Sequence, residues 1–396
     1  MKILFLAHLL PLPLDSGGKI KSYYTLKALA AKNEVRVLAY VRTDEERQLI
    51  PELQKICPVI ETIPLERSKF KQALDLFWSL AKKKSFIIDR DFRSEMQAAF
   101  NAMVDNFKPD VVHVDHLQMA QFVDFDSPYK TVLDNHNVEA MIIKRISETA
   151  DSLGMRRFAS IEWPKLQKYE LDICSKCDLV LTVSEEDKAT LQTDTNKANI
   201  HSVPIGVDMQ YFDFVKRNPD SKNILSIGTM YWPPNVDSML YFSKEIFPLV
   251  KREIPDAILT IAGQKPVASI QALASDPSIR VTGYVDDSRT VARDCGVFIV
   301  PLRSGSGVRV KILNALAMGL PVVSTSIGAE GLDVISGKHL ILADEPESFA
   351  RAIIDVINNP DLANSIGASA RELVGEKYSW DTVGKRLLDL YEAHLV

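Results

Sequence analysis

Four stretches of the chain bring together side chains that can do chemistry. In "SGSGVRVK", residues 304 to 311, Ser306 and Gly307 open a loop that exposes backbone amides, and Arg309 and Lys311 follow as fixed cations. That make-up suits a phosphate-bearing ligand, because free amides at a helix start and a nearby cation both favour an anion. The two cations are two residues apart, so on a helix they diverge by about 200°. One of them faces a phosphate squarely, and Arg309, nearer the helix start, is the favoured one. Gly17 and Gly18 stand before a helical stretch and offer a second place for close backbone approach. Asp115 with His116, and His136 with Asn137 and Glu139, put imidazoles beside carboxylates and an amide, the residue types that move protons. Taken singly, each stretch also reads as an ordinary turn or helix cap.

What must position these residues is a set of short β-branched runs alternating with longer helical periods, the pattern of parallel sheets wrapped by helices. One series runs "KILFLA", "EVRVLAY", "VIETIPL", "DVVHV", "KTVLDN", "DLVLTV" and "NIHSV"; a second runs "NILSIG", "AILTIAG", "IRVTGY", "GVFIVP", "PVVST" and "HLILA". Each series has its own strands and helices and can close its own core. The fold class predicted is α/β, with two Rossmann-like doubly wound domains facing across a cleft. The break falls in "VPIGVDMQYFDFVKRNPDSKN", residues 203 to 223, which lacks a periodic apolar face. The domains expected are residues 1–204, residues 205–376, and a last helix over 377–396 that crosses back to the first. Ligands of such sheets bind beyond the carboxyl ends of the strands. Gly17, Gly18, Asp115, His116, His136, Gly228, Ser306 and Glu330 all fall there. Gly228 follows "NILSI", and Glu330 lies in "STSIGAEGLD" after "PVVST".

Composition removes several classes of function. At 396 residues, 46% hydrophobic and 25% charged, the chain is long enough for two ordinary globular cores. A net charge of −5 gives no electrostatic case for nucleic acid. No apolar run approaches the ~20 residues that span a bilayer. The opening "MKILFLAHLLPLPLD" reads as a buried strand and loop rather than a leader, which predicts a cytoplasmic protein. Cys57 and Cys295 are core thiols. Cys174 and Cys177 have no partner pair or histidine at ligand spacing, so neither zinc nor redox chemistry is expected of them.

With those residues assembled, "VPIGVDMQYF", "ILSIGTMYWPPNVDSMLYF" and "GVRVKILNALAMGLPVVSTSIGAEGL" resemble the GT-B glycosyltransferases, and among them the large retaining family four. The resemblance covers nearly the whole chain. It implies a C-terminal domain that holds a nucleotide-sugar donor (a UDP- or GDP-sugar) through Gly228, Ser306, Gly307, Arg309, Lys311, Asn314 and Glu330, with Gly17 and Gly18 contributing from the first domain. It implies an N-terminal domain that holds a glycan or lipid-linked acceptor, with His116 near the donor sugar and Asp115 beside it as catalytic candidates. "HNVE" resembles the loop that faces the acceptor, giving His136, Asn137 and Glu139. The expected reaction retains anomeric configuration and serves cell-surface polysaccharide synthesis. It uses no cofactor and no metal, since no carboxylate pair stands beside the phosphate seat.

The departures from the family pattern leave alternatives open. Ser306 and Asn314 stand where two glutamates are usual, Ile205 where asparagine is common, and "GTMYWPPN" lacks a basic pair that Arg309 and Lys311 would replace. A catalytically silent nucleotide-sugar-binding subunit and a non-hydrolysing sugar-nucleotide epimerase are the rival readings. Finally, residues 67–93 carry eight Lys or Arg with Phe70, Leu74, Phe77, Trp78 and Ala81 at helical spacing. That segment reads either as a peripheral membrane contact, at the inner face of the membrane, or as a helix packed on the first sheet.

Overall fold

The computed structural model describes residues 1–66, 84–150, 152–195, 199–305 and 307–396. The chain separates into two compact units, Met1–Pro204 with Val383–Val396, and Ile205–Thr382. The basic aromatic stretch at 67–83 and Ser306 lie outside the described residues.

The first unit is built on a seven-stranded sheet: β1 (Lys2–Ala7), β2 (Glu34–Val41), β3 (Val59–Pro64), β4 (Val111–Asp115), β5 (Lys130–Asn135), β6 (Leu179–Thr182) and β7 (Ile200–Ser202). Their order is β3-β2-β1-β4-β5-β6-β7, and every neighbouring pair is parallel. The second unit has six strands: β8 (Asn223–Ile227), β9 (Ile258–Ala262), β10 (Ile279–Gly283), β11 (Val297–Val300), β12 (Val322–Ser324) and β13 (Ile341–Leu342). They lie in the order β10-β9-β8-β11-β12-β13, again all parallel. Each strand predicted from the apolar runs is present.

Both sheets are therefore two Rossmann halves back to back. The strand order reverses between β1 and β4 in one sheet and between β8 and β11 in the other, and a doubly wound sheet opens a crevice at that reversal. The central strands are buried on both faces: Ile3, Leu4, Phe5, Leu6, Val111, Val112, Val297 and Ile299 have no exposure. Parallel strands covered by helices on both sides require such unbroken apolar runs.

The helix Gly17–Ala30 starts at Gly17 itself, so the two glycines form its first turn rather than preceding it. The helix Val310–Ala317 starts one residue after Arg309, which takes the cap position with φ −86° and ψ 89°. Arg309 is thus in the loop, and the helical 200° separation from Lys311 does not apply. The last helix, Trp380–Leu395, belongs to the first unit from Val383 onward. Its Tyr391 is fully buried against β4, where its hydroxyl meets His113 Nδ1 at 2.6 Å. All four cysteines are buried and outside any disulfide.

Candidate functional site

In the first unit, the ends of β4 and β5 deliver a buried cluster of carboxylates and imidazoles. Asp115 is the last residue of β4 and has no exposure. Its Oδ1 meets His136 Nε2 at 2.9 Å; its Oδ2 meets His116 Nδ1 at 3.1 Å and accepts from Ser22 Oγ at 2.7 Å. One carboxylate therefore grips two imidazoles, whose rings lie 3.8 Å apart by centroid. His116 has φ +78°, a conformation that non-glycine residues seldom take. It is held there by its N–H to the Asp134 carbonyl at 3.1 Å, and its side chain is turned back onto Asp115.

The grip fixes which nitrogens remain for a ligand. With Asp115 ionised, His116 commits Nδ1 and His136 commits Nε2 to it, leaving His116 Nε2 and His136 Nδ1. Both face the first turn of the helix Gly17–Ala30. A Cβ on Gly18 would stand 3.4 Å from His116 Nε2 and 3.8 Å from His136 Nδ1. The glycine thus keeps open the space between the two ring nitrogens and the first helix amides, which have no intrahelical acceptor.

The titration of the cluster follows from its charges. Burial opposes the charge on Asp115, yet His116 and His136 hold its carboxyl well below the usual range. Burial likewise works against a charged His116, but Asp115 outweighs it and raises the imidazole. Burial, His116 and Lys21 push His136 down to about 4, so it is neutral at physiological pH. Beneath them Lys21, 1% exposed, is paired with Asp134 Oδ1. Burial and His116 act in opposite senses on Glu139, and burial prevails and raises it. Asn137 is half-buried in the turn between β5 and the helix Glu139–Thr149.

Asp115, His116 and His136 each offer one ligand atom, all within 4.8 Å, a set that could hold a metal ion. In the structure the carboxylate's hydrogen bonds to the two rings occupy that geometry. Asp115 is enclosed, with both oxygens bonded, so its place is that of the group orienting the histidines rather than an exposed nucleophile.

In the second unit, Gly228, Asn235 and Lys311 come together beyond the end of β8. Gly228 follows β8, and a Cβ there would press to 3.0 Å on Asn235 Nδ2. Asn235 Nδ2 donates to the Thr229 carbonyl at 3.1 Å, and its Oδ1 accepts from Lys311 Nζ at 3.0 Å. Lys311 thus brings a cation against the "GTMYWPPN" loop. Burial and the nearby Arg309 pull its pKa down to about 8. Arg309 folds onto its own loop, donating to the Gly307 carbonyl. Asn314, one turn after Lys311, shares its half-buried stripe while Ile312, Leu313, Ala315 and Leu316 face the core. Glu330 is half-buried beyond the end of β12. At the same sheet end Gly263 packs so closely that a Cβ would lie 1.6 Å from the Gly228 carbonyl oxygen.

The residues missed in the sequence are Ser22, Lys21, Asp134 and Glu170, whereas Asn235 follows the first strand of the second series together with Gly228. Asp134 stands at a strand end and was reachable by the rule that found Asp115. Lys21 and Ser22 lie one turn into a helix, where nothing in their spacing marks them.

These two units, each a parallel sheet with its polar residues at the strand-order reversal, define a GT-B fold. Residues 221–359, within the second unit, match the family model described as glycosyl transferases group 1. A Klebsiella pneumoniae protein described as an uncharacterized 44.6 kDa protein in the cps region is 24% identical over 392 residues, 95% of this chain and 96% of its own. A GDP-mannose-dependent alpha-(1-6)-phosphatidylinositol monomannoside mannosyltransferase of Mycolicibacterium smegmatis is 29% identical over 160 residues, 36% of this chain and 41% of that one. Anabaena HepE, solved in complex with UDP, superposes with a TM-score of 0.68 at 13% identity, over 99% of this chain and 100% of its own. That last likeness concerns the fold. Among the described residues, no helix is long and apolar enough to cross a membrane.

Proposed function

We propose that the protein moves a sugar from a UDP- or GDP-sugar to a glycan or lipid-linked acceptor, with retention at the anomeric carbon and without a metal, in cell-surface polysaccharide synthesis. The observation that carries this reading is the Lys311–Asn235–Gly228 arrangement at the switch point inside the group 1 segment. A cation there would hold the diphosphate as it accepts charge from the breaking glycosidic bond. Asn314, on the same stripe as Lys311, is in place to bond ribose hydroxyls, and Gly307, Arg309 and Glu330 complete the donor set.

In the first unit, His116 is the group that meets the reacting sugar, with Gly17 and Gly18 leaving it room. Asp115 orients it, and His136, Asn137 and Glu139 receive the acceptor. Retention is supported by the enclosure of Asp115, whose oxygens are both bonded and so do not form a glycosyl-enzyme; departure and attack then occur on one face, and the leaving phosphate takes the acceptor proton. The donor range is supported by the GDP-mannose named for one relative and the UDP bound to another. Polysaccharide synthesis is supported by the cps region named for the relative that spans the chain.

A thermal-shift panel of UDP- and GDP-sugars tests the reading. A true donor at 100 times its Kd adds ~2.7 kcal/mol of stability. A shift with donor but no nucleotide release in the presence of acceptor would instead favour the silent subunit, the reading that Asn314 at a usual glutamate position supports.

A further inference from the structure

The segment Asn135–Ala140 carries His136 and Glu139, and a buried carboxylate from another helix clasps it at both ends. Glu170, 1% exposed, lies in the helix Leu153–Lys176. Its Oε1 accepts from Asn135 Nδ2 at 2.8 Å and from the Glu139 N–H at 3.0 Å; its Oε2 accepts from the Ala140 N–H at 3.1 Å. The first amides of the helix Glu139–Thr149 would otherwise be buried without acceptors, and Asn135 would lose the bond that fixes its side chain beside His136.

We infer that Glu170 is a positioning residue: its carboxylate sets the orientation of His136 and Glu139, and the site loses its working geometry when Glu170 takes up a proton. This rests on the reading of the first unit's cluster given above. A neutral carboxylic acid turns one oxygen into a donor and a poorer acceptor, so protonation weakens at least one of the three hydrogen bonds. Burial and the facing Glu139 carboxylate act together on Glu170, whose pKa is pushed up to about 7 despite the three hydrogen bonds. Glu139 is the charged group acting on it from the helix it clasps, and Asn135 faces it from β5. The clasp therefore tightens as pH rises through neutrality and loosens below it.

The test compares full-length wild type, Glu170→Gln and Glu162→Gln between pH 5.5 and 8.5. Glu162 is a buried carboxylate on the same helix that accepts from Ser85 Oγ at 2.6 Å and the Ile87 N–H at 3.1 Å, away from His136. It reports what loss of a buried carboxylate does to the helix alone. Amide shifts of Glu139 and Ala140 should inflect near pH 7 in wild type and in Glu162→Gln, and be flat through that range in Glu170→Gln. Nucleotide release should rise about tenfold from pH 6 to 8 in wild type and lose that rise in Glu170→Gln. An inflection that persists in Glu170→Gln overturns the inference. So does a wild-type amide profile without one. The amide shifts need no turnover, so absent catalysis would fail the functional reading while leaving the clasp tested.

Discussion

The affinity for a nucleoside diphosphate should fall as pH rises through about 8, and Lys311 should be the reason. Its ammonium is bonded to Asn235 Oδ1 at 3.0 Å, and burial with the neighbouring Arg309 lowers its pKa from 10.5 to about 8. At pH 7 roughly nine-tenths of the protein carries the charge, and at pH 9 about one-tenth does. If the diphosphate binds the charged form, the apparent Kd for UDP or GDP rises about tenfold between pH 7 and 9, or ~1.4 kcal/mol. The phosphate itself contributes little to that slope, because its second pKa is about 6. Arg309 stays charged throughout and adds none. Unfolding does not imitate the effect. A lysine whose folded pKa is depressed makes the folded state bind fewer protons than the unfolded chain, so stability rises with pH between about 8 and 10.5. Calorimetric titration at several pH values is the assay, with Lys311→Met alongside. The substitution should weaken binding at pH 7 by about 2 kcal/mol, the order of a charged hydrogen bond, and remove the slope. A Kd independent of pH in wild type, or a slope that survives in Lys311→Met, would refute the reasoning.

Other substitutions separate scaffold from site. Asp115→Asn should lower kcat by about 10²-fold or more, because it releases both imidazoles from one carboxylate, while donor affinity stays within about twofold; steady-state kinetics beside calorimetry would show whether affinity falls instead. The same carboxyl, depressed in the folded state, contributes stability present above its ordinary pKa and lost as pH falls through the folded value, so Asp115→Asn should flatten acid unfolding followed by circular dichroism. Gly18→Ala should leave or raise stability, by up to about 1 kcal/mol as a helix substitution, yet reduce turnover by filling the space beside His116 Nε2; equal turnover would remove that space from the account. Gly263→Ala should destabilise the fold by about 3 kcal/mol or more in urea unfolding, since its Cβ would overlap the Gly228 carbonyl oxygen.

How much could be read from the sequence differed between scaffold and site. Runs such as Ile3–Ala7 and Val297–Val300 are unbroken and apolar, because burial on both faces leaves no polar position. The carboxyl ends of the runs Val111–Asp115 and Asn223–Ile227 point to Asp115, His116 and Gly228. Proximity to the helix start favours Arg309 over Lys311 in the sequence; the helix starts one residue after Arg309, and end residues of helices are set by caps that periodicity does not specify. The pairing of Lys311 with Asn235 spans 76 residues, and Asp115 with His136 spans 21; such contacts come from topology, which local pattern does not encode. Glu170 did leave a trace. It falls on the same face as Leu166, Ile173 and Cys174, a charge at a core position, which is where a buried polar partner should be sought.

The most direct test of the central claim is release of nucleoside diphosphate from UDP- and GDP-sugars by the full chain, with acceptor glycans or lipid-linked sugars, in wild type and in His116→Ala. The account predicts acceptor-dependent release in wild type, product of the donor's own anomeric configuration, and loss of turnover by His116→Ala with donor binding kept. Donor that binds wild type without any release, or release undiminished in His116→Ala, would contradict it.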